Sequence, residues 1–227
     1  MLAMINIAID GPASSGKGTV ARKVAVALDY SYIDSGAMYR AVALFARRRR
    51  VPWDDGAALT VLAADLAFAF SWKGEWLQLT VGGEDVTEQL RDEAIGNGAS
   101  QVSAHPGVRS ALLGLQRDLA AKGGVVMDGR DIGSVVLPDA QLKVFLDASV
   151  EERATRRTAE LRGRGLAADL RKIEAEIVAR DHQDRNRPTA PLIQTEDAVY
   201  IDTTGRTAEQ AAQEIVGRAR ALMRDGP

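Results

Sequence analysis

With 227 residues, 46% of them hydrophobic, the chain can bury roughly three-quarters of its extended surface, enough for one substantial core with small appendages. Its 29 Lys and Arg against 31 Asp and Glu leave a formal net charge of -2, which excludes a global pull toward nucleic acid or membrane, so any anion site must be built from local clusters. The absence of cysteine excludes disulfides, thiol catalysis and cysteine-held zinc or iron–sulfur centres, and suits a reducing cytoplasm.

Ile5, Ile7 and Ile9 alternate in the first apolar run, which reads as a buried strand. Asn6 and Asp10 interrupt the run, so the N-terminus does not read as a secretion signal. No uninterrupted apolar stretch approaches the ~18 residues of a membrane span, and the expectation is a soluble, cytoplasmic chain. Directly after the strand come Gly11, Pro12, Ala13, Ser14, Ser15, Gly16, Lys17, Gly18 and Thr19, a G-x-x-x-x-G-K phosphate-binding pattern. Glycines there let backbone N–H groups turn inward around a polyphosphate, and Lys17 adds a point charge for the terminal phosphates. The next helix, carried by Val20, Val24 and Leu28 at four-residue spacing, aims its N-terminal dipole at the same anion. Gly18 stands where most such loops carry the Ser or Thr that holds magnesium, with Thr19 one place later, which puts direct hydroxyl ligation of the metal in question.

Tyr30 to Ile33 makes a second strand ending at Asp34-Ser35-Gly36, and a helix through Tyr39, Val42, Ala43 and Ala46 ends in Arg47 to Arg50. Those four arginines read as a solvated helix end, because cations are favoured there and no further basic run or aromatic interleaving accompanies them. The period then changes: Phe68, Phe70 and Trp72 alternate, Lys73-Gly74 turns, Leu77, Leu79 and Val81 alternate, and Gly82-Gly83 turns before Glu84 to Val86. This small antiparallel meander is followed by two helices over Glu88 to Ala121, broken near His105-Pro106, with Pro106 in the first helical turn and His105 as its cap. Val125 to Met127 and Leu142 to Leu146 resume the main strands, and Ser149-x-x-Glu152 reads as a capping box. A helix over Asp169 to Asn186, a strand at Val199 to Ile201 and a helix capped by Thr207-x-x-Gln210 complete the chain. Apolar strands separated by helices predict an α/β fold: a five-stranded parallel, doubly wound sheet with ligands at its carboxyl edge and the meander inserted as a small antiparallel β/α subdomain.

Polar clusters fall just after strand ends: the phosphate loop, Asp34-Ser35-Gly36, and Asp128-Gly129-Arg130-Asp131. Asp128 is placed like the acid that steadies magnesium through water. Arg153, Arg156 and Arg157 share one helical face, as do Arg180, Asp184 and Arg187 if their helix persists. Surface ion pairing, as between Glu152 and Arg156, accounts for part of this pattern. The functional alternative is that guanidinium forks clamp two phosphate groups, with the segment Arg162-Gly163-Arg164-Gly165 as part of a short lid. No second Asp pairs with Asp34 in an Asp-x-Asp arrangement, as a small-alcohol kinase would need, and no Asn-Lys-x-Asp guanine-reading motif occurs. A phosphate acceptor, unlike a hydroxyl, is already an anionic nucleophile and needs no general base. His105 and His182 lack metal-ligand or triad spacing, and His182 is expected to face water.

Five segments together resemble the bacterial-type cytidylate kinases among the nucleoside monophosphate kinases. They are Ile9 to Pro12 with Gly16-Lys17-Gly18-Thr19, Asp34 to Arg40, Met127 to Gly133, Phe145 to Ser149, and Arg180-Asp181 through Asp184 to Arg187. The resemblance implies transfer of the terminal phosphate of ATP to CMP or dCMP with Mg2+, by a cytoplasmic monomer that binds neither nucleic acid nor membrane. It implies a core of residues 1–36, 123–148 and 188–227, a monophosphate-binding subdomain of 37–122, and a lid with flanking helices at 149–187. By carry-over, residues 11–19 hold the donor and Ser35, Arg40, Arg130 and Arg187 surround the acceptor phosphate. Ser100, Arg109 and Asp131 read the base, and Arg180 and Asp184 reach the sugar. The implied catalytic set is Lys17, Arg130, Arg153, Arg157 and Arg187, with Asp128 at the metal. Two alternatives stay open on the sequence: a kinase for another small acceptor such as UMP or a sugar alcohol, and a non-catalytic nucleotide- or RNA-binding module using Arg47 to Arg50.

Overall fold

A computed structural model describes residues 4–73 and 76–225. In chain order, β1 (Asn6–Asp10) leads through the glycine loop into α1 (Lys17–Leu28), and β2 (Ser31–Asp34) into α2 (Ser35–Arg48). Then come α3 (Gly56–Asp65), β3 (Phe68–Lys73), β4 (Trp76–Val81), β5 (Glu84–Asp85), a 3-10 turn at Gln89–Arg91, α4 (Glu93–Val102) and α5 (Pro106–Ala120). The chain continues through β6 (Val125–Gly129), a π-helical turn at Ile132–Val136, β7 (Leu142–Asp147), α6 (Val150–Gly163), α7 (Leu170–Asn186), β8 (Val199–Asp202) and α8 (Ala208–Asp225). It divides into two compact units, Met1–Tyr32 with Gly123–Pro227, and Ile33–Lys122.

The first unit is built around a five-stranded parallel sheet in the order β2-β6-β1-β7-β8, as the strand–helix alternation predicted. Ile7, Ala8 and Ile9 are fully buried in its central strand; each isoleucine contributes about 1.5–3 kcal/mol by leaving water. Register places Ile9 opposite Asp128 and Asp10 opposite both Gly129 and Phe145. The loops after β1 and β6 therefore leave neighbouring strands at the carboxyl edge of the sheet. α1 packs on α8, and α6 on α7.

In the second unit α2 packs on α4 and α3 on α5. Their apolar faces close over Met38, Leu44, Leu59, Ile95 and Leu112 together with Leu79 and Val81 of the meander. β3 and β4 pair antiparallel with Phe68 opposite Val81 and Phe70 opposite Leu79, as the alternation predicted. Gly74 of the predicted Lys73-Gly74 turn lies outside the described residues.

Several local features differ from the sequence-based expectation. α3 was not anticipated; Asp55 caps it by accepting from the Ala58 N–H at 3.0 Å, and Leu59, Leu62 and Ala63 form its buried face. The exposed Ala57, Val61 and Ala64 on its other side blur the period that would have revealed it. His105 does not cap α5 with its side chain; its Nε2 lies 2.9 Å from the Trp53 carbonyl, while Pro106 opens the helix as expected. Arg47 to Arg50 are exposed at the helix end as expected, and three of them also form surface ion pairs: Arg47 with Asp92 at 3.1 Å, Arg48 with Glu84 at 2.7 Å and Arg49 with Asp65 at 3.2 Å. The Thr207 box forms in both directions, at 2.9 and 3.2 Å. The Ser149 box forms in one: Ser149 Oγ accepts from the Glu152 N–H, but the Ser149 N–H donates to Thr204 and the Glu152 carboxylate accepts from Arg156. Arg162 and Gly163, expected as part of a short lid, belong to the last turn of α6.

Candidate active site

The phosphate loop is held from several sides. A Cβ at Gly11 would stand 2.1 Å from the Leu146 carbonyl oxygen of β7, so no side chain fits where the loop leaves β1. Ser14 and Gly16 take left-handed conformations, φ 59° and 85°, which turn the backbone into α1. The Ala13 N–H donates to Asp181 at 3.3 Å, and the Ala13 carbonyl accepts from Arg153 at 3.0 Å. Thr203, in the loop after β8, and Arg156 both reach the Ser15 carbonyl at 3.5 Å. Among the described residues the buried Ser15 hydroxyl has no hydrogen-bond partner, as a donor kept for an incoming anion requires. Thr19 is exposed on α1.

Lys17 opens α1, is buried, and donates from Nζ to the Pro12 carbonyl at 3.0 Å. Burial, then the nearby Arg130 and Arg180, push its ammonium down from 10.5 to about 7, against the opposing pull of Asp128 and Asp184. Arg130 follows β6 and donates to Asp184 of α7 at 2.7 Å. Burial raises the Asp184 carboxyl, but Arg130, Arg180 and Arg187 outweigh it and hold it below the usual carboxylate range. Arg187, at the end of α7, donates to the Ala190 carbonyl at 2.6 Å and lies 3.5 Å from Asp131. The structure thus brings Lys17, Asp128, Arg130, Asp131, Arg180, Asp184 and Arg187 together beside the loop within the first unit. Cations crowded this closely penalise one another until an anion arrives.

Asp128 is 5% exposed, accepts from the Tyr32 hydroxyl at 2.7 Å and lies beside Gly18. Among the described residues no group of three or more His, Cys, Asp or Glu could hold a metal ion. A single carboxylate at the loop fits an ion carried chiefly by phosphate oxygens and water, as Mg2+ is.

Asp10, which ends the first apolar run, has a structural role that the sequence reading did not assign. Its two oxygens accept from the Ile132 and Gly133 N–H groups at 2.8 and 2.7 Å, fastening the turn that follows Arg130 and Asp131. Burial drives its carboxyl up to about 6, with Asp131 adding to the shift and the two N–H bonds and Lys17 opposing it. A carboxylate closing an apolar strand directly before a glycine loop was the available signal. Arg153 and Arg157 separate in environment. Arg153 is 4% exposed, 2.6 Å from Asp181, and donates to the Ala148 and Ala13 carbonyls, whereas Arg157 pairs with Glu160 at 2.9 Å.

Ser35, Arg40, Ser100 and Arg109 lie in the second unit. Asp34 caps α2 by accepting from Ala37 and pairs with Arg40 at 2.6 Å, with Ser35 buried between them in sequence as the first residue of the helix. Arg109 is 7% exposed, stands over the Tyr39 ring at 5.4 Å and donates to the Ser103 carbonyl. The Ser103 hydroxyl in turn donates to the Ser100 carbonyl at 3.0 Å. Next to Ser100 in α4, a Cβ at Gly98 would meet the Trp53 ring at 2.5 Å, so part of this small-residue stretch serves packing. His182 is exposed, as expected.

A family model described as cytidylate kinase matches residues 7–221. A cytidylate kinase from Chromobacterium violaceum is 51% identical over 210 residues, covering 92% of this chain and 93% of the relative. One from Streptococcus pneumoniae is 46% identical over 221 residues, covering 96% and 99%. Among solved structures, an uncharacterized protein from Eubacterium ventriosum matches with a TM-score of 0.54 at 11% identity, over 96% of this chain and 99% of that one, a likeness of fold alone.

Proposed function

The chain belongs to the cytidylate kinase family, and on that premise we propose that it transfers the terminal phosphoryl group of ATP to CMP or dCMP, giving ADP and CDP or dCDP. The observation that carries this reading is the crowding of Lys17, Arg130, Arg180 and Arg187 beside the phosphate loop. Such a cluster is complementary to the charge spread over a migrating phosphoryl group, and it is already in place before reaction.

Residues 11–19 hold the donor, with backbone N–H groups and the Ser15 hydroxyl on its phosphates and Lys17 leaving the Pro12 carbonyl to follow the γ-phosphate. Asp128 would hold Mg2+ through water, and the chemistry the ion would supply is neutralisation of charge on the nucleotide phosphates. Arg130 and Arg187, with Ser35 and Arg40, hold the acceptor phosphate; Arg180 and Asp184 reach its sugar. Arg157 adds a phosphate contact and Arg153 supports the loop carbonyl at Ala13. No general base is required, and the buried Asp10, with both oxygens already accepting N–H groups, is not available as one.

Asp131, Arg109 and Ser100 read the base. Cytosine offers an exocyclic amine to a carboxylate or hydroxyl, while its O2 and N3 accept from a guanidinium. Uracil turns O4 toward the carboxylate and leaves buried groups unpaired, a penalty of several kcal/mol. Asp131→Ala should therefore narrow the CMP-over-UMP preference; an unchanged ratio of kcat/KM values removes Asp131 from the base-reading set. The whole reading is tested by coupled ADP release across the ribo- and deoxynucleoside monophosphates and a set of sugar alcohols, where CMP and dCMP should lead and a faster UMP or sugar-alcohol reaction would overturn it. Among the described residues no helix is long and apolar enough to cross a membrane. On this reading the enzyme works in the cytoplasm as a monomer, acting on nucleotides and not on nucleic acid.

A further inference from the structure

The loop's departure from the common phosphate-binding pattern has a physical partner in β2. Tyr32 is 4% exposed, and its hydroxyl donates to Asp128 Oδ1 at 2.7 Å. A Cβ built on Gly18 would lie 3.2 Å from that hydroxyl and 3.9 Å from Asp128 Oδ2. Gly18, Tyr32 and Asp128 therefore share one small space at the start of α1. A contact of 3.2 Å requires the neighbour to yield by a few tenths of an ångström. Here the neighbour is the tip of a buried ring, tethered to a carboxylate by a 2.7 Å bond, and yielding lengthens and weakens that bond.

We propose that Tyr32 is the positioning residue for Asp128 and that its hydroxyl occupies the space a side chain at position 18 would need. The hydroxyl that other phosphate loops bring from the residue after the lysine is brought here from β2, and it acts on the carboxylate rather than on the metal. With Oδ1 taken by Tyr32, the carboxylate is held with Oδ2 on the side of Gly18, toward the loop. The inference rests on Asp128 serving the Mg2+–nucleotide complex as proposed above.

Tyr32→Phe, Gly18→Ala and the double variant test it, read both by turnover and by equilibrium binding of ATP with Mg2+ and with a chelator. Tyr32→Phe keeps the buried ring and should fold. It should lower kcat about 10-fold with the KM for CMP within about twofold, and shrink by a similar factor the gain in ATP affinity that Mg2+ confers, leaving chelated ATP binding unchanged. Gly18→Ala should cost about 10-fold in the parent and about threefold or less when Tyr32→Phe is already present, because the clash and the bond are one interaction. Additive losses around the cycle, or a Tyr32→Phe protein whose Mg2+-dependent affinity equals the parent's, would overturn it. If Gly18→Ala does not fold, the binding measurement on Tyr32→Phe decides alone. If the parent transfers phosphate to no nucleoside monophosphate, the functional reading fails, while the Mg2+ dependence of ATP binding still tests Tyr32.

Discussion

Lys17→Ala should lower kcat by at least about 10²-fold, the loss expected when one preorganised charge donor is removed from a phosphoryl-transfer site. The variant should fold at least as well as the parent without ligand. In the parent the ammonium is buried among Arg130 and Arg180 and hydrogen bonds to a single loop carbonyl, so its removal relieves repulsion and desolvation. A folded Lys17→Ala protein with unchanged turnover would falsify the role given to this residue; a fall in thermal stability comparable to that of a core truncation would show it to be a structural ion instead.

The depressed Lys17 also makes donor binding sensitive to pH. Its folded value of about 7 lies below the ordinary 10.5, so across that window the unfolded chain binds more protons than the folded one. Stability of the unliganded protein should consequently rise with pH through the window, with the burial cost fully present below it. ATP restores a negative partner and raises the ammonium again, so binding takes up a proton and affinity falls as pH rises. Titration calorimetry from about pH 7.5 upward, in buffers of different ionisation enthalpy, measures that proton directly, above the range where a terminal phosphate titrates. No proton uptake means that Lys17 is already fully charged without ATP.

Arg153→Met should destabilise the protein by about 3–5 kcal/mol, because it leaves Asp181 buried without its cation. In a chain of this size that is a fall in Tm of roughly 6–20 °C. Two carbonyls, Ala148 and Ala13, lose their donor at the same time, and the second belongs to the phosphate loop. A side chain that only touched phosphate would lower kcat and leave Tm unchanged, and that outcome would return Arg153 to the ordinary catalytic set. Adding Asp181→Leu should recover much of the stability, since an apolar pair can replace a buried ion pair at little cost.

How much could be read beforehand follows from the range of the interactions. β1, the loop and α1 were legible because period, glycine spacing and helix start occur within a few residues of one another. The Thr207 box was legible for the same reason. α3 was hidden by apolar residues on its exposed face. Arg153 and Arg157 look alike as letters on one helix face; the pairing of Arg157 with Glu160 is local to α6, whereas only the packing of α7 across α6 brings Asp181 to Arg153. The role of Asp10 was hidden because its partners, Ile132 and Gly133, are more than a hundred residues away and are brought to it by the register of β1 on β6.

The two bonds from Asp10 have a mechanical consequence. The strand that launches the donor loop also anchors, through one carboxylate, the turn carrying Arg130 and Asp131. Thermal jitter in that strand displaces both together, so their relative alignment survives motions that would spoil a centre assembled on independently moving supports.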